Sequence, residues 1–189
     1  MRWQQLFADL QAQFDEEEAA AERAESASRA RAEIGAVTLS QRLGGALGLP
    51  LSLRCRGAGQ VAGVLVDVGV DWLLLEDERG RSTLVAADAV LSVAGLARLT
   101  AAPEDAGVVR GRLDLRRALR GLARDRSTVQ VVLDDGAVLT GTLDRVGADH
   151  VELAEHPVDL PRRAAAVRGV SAVAVVAIAA VRTTVPALD

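Results

Sequence analysis

The stretch Val129 to His156, VQVVLDDGAVLTGTLDRVGADHVELAEH, limits the fold more than any other part of the chain. Val129, Val131 and Leu133 alternate with Gln130 and Val132 and run into Asp135-Gly136, a pair suited to the positive φ of a tight hairpin turn. A second run, Val138 to Val146, carries Gly141 in its interior, where the missing side chain permits a sharp bend. Gly147 to Asp149 turn into a third run, His150 to Glu155. The pattern predicts a bent antiparallel meander of three strands.

The same pattern occurs earlier in the chain. Set over GTLDRVGADHVELAE (Gly141 to Glu155), the segment GVLVDVGVDWLLLED (Gly63 to Asp77) matches Gly63 to Gly141, Leu65 to Leu143 and Val68-Gly69 to Val146-Gly147. Asp71 meets Asp149, Trp72 meets His150, and Leu75 meets Leu153. Farther on, Ala89-Val90 and Val93 match Ala177-Ile178 and Val181 after a ten-residue insertion in the second copy. Internal repetition of this kind predicts one supersecondary unit made twice. In the first copy, Leu39, Leu43 and Leu47 predict a short helix ending at Gly48-Leu49-Pro50. Strands are expected at Leu51–Cys55, Val61–Val68, Trp72–Glu76, Thr83–Val85 and Ala89–Val93. The second copy opens on a helix over Leu113–Ala123. Each copy then reads as a helix, a three-stranded meander and two short strands, forming a small five-stranded barrel.

Ahead of both copies, Trp3, Leu6, Phe7, Leu10 and Phe14 recur at three- and four-residue spacing and predict a long helix. Its first 34 residues carry four Arg against eight Asp and Glu, so this helix is either a solvated face or a docking or coiled-coil segment with those five residues as its interface. The expected organisation is a helix over 1–35, a first barrel with its leading helix over 36–98, a linker over 99–109, and a second barrel with an Arg-rich leading helix over 110–185. The fold class is mainly β with α.

Half the residues are apolar, which excludes bulk disorder, and with no Tyr and only two Phe and two Trp the core must be aliphatic. Every basic side chain other than the two histidines is Arg. The single cysteine, Cys55, has no partner for an intramolecular disulfide and suits a buried thiol in a reducing compartment. The opening MRWQQLFADLQ lacks the apolar core of a signal peptide, and the longest apolar run, Val170 to Val181, is too short to span a bilayer. A soluble, cytoplasmic protein is expected.

The order of elements, with DGAVLTG supplying a Gly-x-x-x-x-Gly pair before the GADHVEL turn, resembles the Sm-like and wider SH3-like small barrels. The resemblance covers Leu113 to Arg182 well and Leu39 to Val93 more loosely, and Val167-Arg168-Gly169 is similar to that family's second motif. It implies barrels that assemble into rings on single-stranded RNA. The family's nucleotide pocket relies on an Asp and an Asn where this chain has Gly147 and Val151, so the fold carries over and the pocket does not. The whole chain, from MRWQQLFADL through ALRGLARDR to VGADHVELAEH, also resembles a family of short actinobacterial proteins labelled Fis-family transcriptional regulators. Fis-like proteins end in a helix-turn-helix, whereas this chain ends in the strand-like VAVVAIAAVRTTV.

Between Arg110 and Arg126 lie seven Arg and two Asp, a local charge of +5 in a chain of net charge −4. On a helix Leu115, Ala118, Leu119 and Leu122 share one face and Arg116, Arg117, Arg120 and Arg124 the other, a stripe able to neutralise phosphates or to dock on an acidic helix. Trp72, matched to His150, is expected to mark a contact made by the barrels. His150 and Glu152 share a strand face, but two histidines without a spaced ligand motif do not make a metal site. Gly57, Gly59 and Gly63 lie between strands and do not open a helix, and Gly169 to Val173 lacks the second glycine of a nucleophile elbow. No catalytic residue, cofactor, metal or small-molecule substrate is expected. The sequence points to a non-enzymatic interaction or assembly module with a protein partner or a second copy. The alternative is a nucleic-acid-associated regulator working through the Arg-rich helix.

Overall fold

The computed structural model describes residues 2–96, 113–158 and 166–183. The chain divides into two units, residues 1–39 and 40–189. In the first, helix α1 (Arg2–Ala36) runs without a break and ends where Gly35 weakens it. Trp3, Phe7, Leu10 and Phe14 are exposed along it, and the side chain of Leu6 lies outside the described residues. An Arg29–Glu25 pair at 2.7 Å spans one turn of its solvated face.

The second unit opens with α2 (Leu39–Gly44), which begins at the boundary and seats Leu43 in the core. Strands β1 (Pro50–Cys55), β2 (Gly59–Val68), β3 (Trp72–Glu76), β4 (Ser82–Ala86) and β5 (Val90–Ala94) follow. Helix α3 (Leu115–Asp125) leads into β6 (Thr128–Leu133), β7 (Val138–Val146), β8 (His150–Glu155), β9 (Gly169–Ala174) and β10 (Ile178–Thr183). These strands join in one antiparallel sheet in the order β5-β1-β2-β3-β4-β10-β6-β7-β8-β9, which is not closed into a barrel. The chain is therefore mainly β, with a long N-terminal helix. The expected linker over 99–109 falls outside the described residues, as does part of the ten-residue insertion, at 159–165.

The duplication extends to individual hydrogen bonds. Leu51 opposes Gly63 in the first copy and Val129 opposes Gly141 in the second. The β2·β3 ladder shifts register between Leu65 and Asp67, and the β7·β8 ladder does so at the matching Leu143 and Arg145. The β1·β5 and β6·β10 ladders share a further shift. Such bulges sharpen local twist, so both copies bend at the same place. A Cβ at Gly141 would lie 2.0 Å from the Ala154 carbonyl oxygen, so glycine is also what lets the two strands approach.

Each copy has a core, and the cores interlock. One gathers Leu43, Leu53, Leu65, Leu75 and Val85 with Val132 and Ala180 of the second copy. The other gathers Leu119, Val129, Val131, Leu143 and Val151 with Trp72, Leu84 and Ala86 of the first. The seam is the β4·β10 ladder, which pairs Ala180 with Val85, Val181 with Leu84 and Arg182 with Thr83. Among the described residues no helix is long and apolar enough to cross a membrane.

Candidate functional site

Helix α3 starts at Asp114, whose extended backbone and carboxylate cap the helix by accepting from the Arg117 amide at 2.9 Å. It ends at Arg126, which adopts the left-handed conformation at φ 50°. Leu115 and Leu119 are buried against the sheet, and Arg116, Arg117, Arg120 and Arg124 are exposed. The four are not equivalent. Arg116 holds Asp114 Oδ2 through Nε at 3.3 Å and Nη2 at 3.0 Å, and donates from Nη1 to the Ala148 carbonyl at 2.8 Å. Among the described residues no hydrogen bond or ion pair engages the guanidinium groups of Arg117, Arg120 and Arg124, and Arg120 acts on Asp114 through its charge alone. Their spacing places the three guanidinium groups along one stripe, over roughly 10 Å of helix axis.

The Arg117 amide is the main reason the Asp114 carboxyl lies below the ordinary carboxylate range, with Arg116 and Arg120 adding to it against a desolvation cost. A carboxylate whose folded pKa is depressed stabilises fully above its unfolded value and loses that contribution as pH falls through the folded one. Asp114→Ala is therefore expected to cost about 1 kcal/mol at neutral pH, with Asp114→Asn close to wild type. The Ala penalty should shrink below about pH 4, measured by urea denaturation across a pH series.

Trp72 is buried inside the chain, between the two copies. Its Nε1 donates to the Leu113 carbonyl at 2.8 Å, and the Val70 amide donates to the same oxygen at 3.3 Å. Asp71 Oδ1 accepts from the Leu115 amide at 2.6 Å. The β2–β3 turn of the first copy thus receives the first turn of α3. The matching turn of the second copy, Ala148 to His150, takes the Arg116 side chain of α3 on the Ala148 carbonyl but receives no first turn of a helix among the described residues. There Asp149 Oδ1 pairs with His150 Nδ1 at 2.9 Å, which lowers the Asp149 pKa, and the Asp149 side chain is 90% exposed.

The remaining candidates separate. His150 pairs with Asp149, while Glu152 faces Arg145 at 3.8 Å. No group of three His, Cys, Asp or Glu able to hold a metal gathers among the described residues. His156 is buried, donates from Nδ1 to the Pro157 carbonyl at 2.9 Å and sets Nε2 2.8 Å from the Thr142 hydroxyl. Gly57 and Gly59 take positive φ in the β1–β2 turn, and Gly63 lies within β2. Gly169 to Val173 is plain strand in β9. Burial pushes the Cys55 thiol up, which disfavours the thiolate.

No protein-family model matches the chain, and no curated protein or solved structure matches it either. What the chain offers a partner must therefore be read from its own surface. Two features stand out there: the free arginines of α3, and the sheet edges β5 and β9. Sequence periodicity finds the first. It misses the second, because which strands end a sheet depends on long-range pairing. The available signal was composition, since VLSVA and GVSAVA carry neither charge nor proline.

Proposed function

We propose that the protein is a non-enzymatic, cytoplasmic assembly module. Two small barrel-like units of Sm-like or SH3-like type stand in tandem behind an N-terminal helix and self-associate through β5 and β9, the edge strands of their common sheet among the described residues. Support for the barrel-like units comes from the strand order within each copy, where the fifth strand returns beside the first. The observation that carries the reading is the chemistry of the edges. Proteins that remain monomeric protect edge strands with charge, proline, a bulge or a covering element; the β1·β5 ladder shifts register beside Leu91, whereas β9 pairs with β8 without a shift. Here β5 exposes Leu91 and β9 exposes Val170, at 59% and 61%, with no charged residue or proline in either strand. Sedimentation velocity of the full chain should show its mean mass rising with concentration, and Leu91→Arg or Val170→Arg should return it toward monomer. A chain that stays monomeric throughout the series sinks the reading.

A second reading, a nucleic-acid-associated regulator, is favoured by the three free guanidinium groups of α3. Three phosphate contacts would give log K against log salt a slope of about −3 on duplex DNA. Changing Arg117, Arg120 and Arg124 together to Glu should abolish that binding. No anisotropy change with duplex DNA or single-stranded RNA at low salt removes this reading.

A further inference from the structure

The repeat defines which surfaces of the second unit are already used and which are left over. Inside the chain, β4 of the first copy pairs with β10, the fifth strand of the second. The ladders make β9 the counterpart of β4 and β5 the counterpart of β10, because Trp72 opposes Ala86 as His150 opposes Ala174, and Leu53 opposes Val93 as Val131 opposes Val181. The two strands left at the ends of the sheet are therefore the two halves of a contact the chain already makes once. We infer that the chain assembles head to tail by repeating its internal seam, with β9 of one copy pairing antiparallel with β5 of a second copy. The inference rests on the assembly reading above and gives it a partner and a register: Val173 opposite Ser92, Ala172 opposite Val93 and Ser171 opposite Ala94.

Burial supports the correspondence. Leu84 and Ala86 are buried at the internal seam, and their counterparts Ala172 and Ala174 are exposed. Ala179 and Ala180 are fully buried there, and their counterparts Leu91 and Ser92 are exposed. The leading helices repeat the relation. Leu115, the first residue of α3, is buried where it meets Asp71, whereas Leu39, the first residue of α2, is 48% exposed. The turn that a repeated seam would offer Leu39 is the open Asp149–His150 turn of the preceding copy.

Charge agrees at the far end of the seam. Gly57 lies so close to Leu133 and Asp134 that a Cβ would overlap the Leu133 carbonyl. Asp135 stands in its place in the second copy, which keeps the repeated contact looser at this turn. The same correspondence brings Asp135 toward Arg56 of the next copy, and both are exposed. The internal seam also has side-chain bonds from Arg182 to Ala58 O and from Thr183 to Ser82 O, at 3.3 and 3.2 Å. Ala94 at the end of β5 and Gly95 just after it replace those donors, so the contact between copies is the weaker and more reversible one. A contact of two unlike surfaces closes into a ring or continues as a filament, depending on its rotation.

Paired cysteines on the full chain test the register. Directly opposed residues in an antiparallel ladder come within disulfide range, whereas a two-residue offset exceeds it. Ala94→Cys with Ser171→Cys should give a ladder of covalent dimers, trimers and larger species on a non-reducing gel. Ser92→Cys with Ser171→Cys, and each single variant, should stay monomeric. Arg56→Glu should weaken association roughly fivefold, and adding Asp135→Arg should restore it. Association without the in-register ladder, equal ladders from both pairs, or a dimer from Ala94→Cys alone overturns the head-to-tail register and leaves the assembly module standing. Absence of any association overturns both.

Discussion

Replacing Gly141 with valine is expected to be among the most damaging single changes in the chain. The new Cβ would lie 2.0 Å from the Ala154 oxygen and 2.8 Å from its carbonyl carbon. Both are main-chain atoms of the neighbouring strand, so no side-chain rotation relieves the clash, and β7 and β8 must separate in the middle of the second core. Overpacking a rigid interior costs about 1–3 kcal/mol and sometimes more, and this site belongs at or above the top of that range. For a chain of this size about 3 kcal/mol lowers the midpoint of thermal unfolding by roughly 10 °C, which calorimetry would read directly. Gly121→Ala is the contrasting control. Nothing lies within 4 Å of a Cβ there, and the residue sits inside α3. That change should stabilise by up to about 1 kcal/mol, because alanine is the better helix former. If both glycines gave the same small effect, the tight β7·β8 approach would be wrong.

The contrast between those glycines shows what local pattern does and does not encode. The alternation of Val129, Val131 and Leu133, and Asp135-Gly136 after it, identify β6 and its turn because both are properties of neighbouring residues. The likeness of Gly63–Asp77 to Gly141–Glu155 identifies the duplication, since equal spacing of glycines and leucines repeats the same bulge. The single continuous sheet was not legible. Val85 and Ala180 lie far apart in sequence, and the alternation within a strand says which face is apolar without saying which edge is paired. The candidate site divides in the same way. Helical periodicity gathers four arginines on one face, but only tertiary structure brings the Ala148 carbonyl to Arg116 and leaves the guanidinium groups of Arg117, Arg120 and Arg124 without a hydrogen bond or ion pair among the described residues. His156 gave no sign of burial, because its partner Thr142 comes from another strand.

Trp72 carries the other large expected effect, because one side chain fastens the two copies together. Its ring packs over Gly69, where a Cβ would come within 2.1 Å of Nε1, and reaches the core that contains Leu84 and Leu119. Trp72→Ala should cost about 3–5 kcal/mol, the usual range for emptying a buried aromatic site. Trp72→Phe keeps most of the apolar filling and gives up the bond to the Leu113 carbonyl. That oxygen still has the Val70 amide, so the cost should be nearer 1 kcal/mol beyond the lost packing. The site of the damage is as diagnostic as its size. In Trp72→Ala the Asp71–Leu115 bond loses its neighbour, so hydrogen exchange should accelerate first in the opening turn of α3 and only later in β6 and β7. Trp3 is 72% exposed, so Trp3→Phe should leave stability unchanged while making Trp72 the sole indole fluorophore. On titration with urea, the emission of the Trp3→Phe variant should shift to the red in step with its own loss of hydrogen-exchange protection in α3. Simultaneous loss across α3 and the whole sheet would mean that the β4·β10 ladder, and not Trp72, couples the two copies.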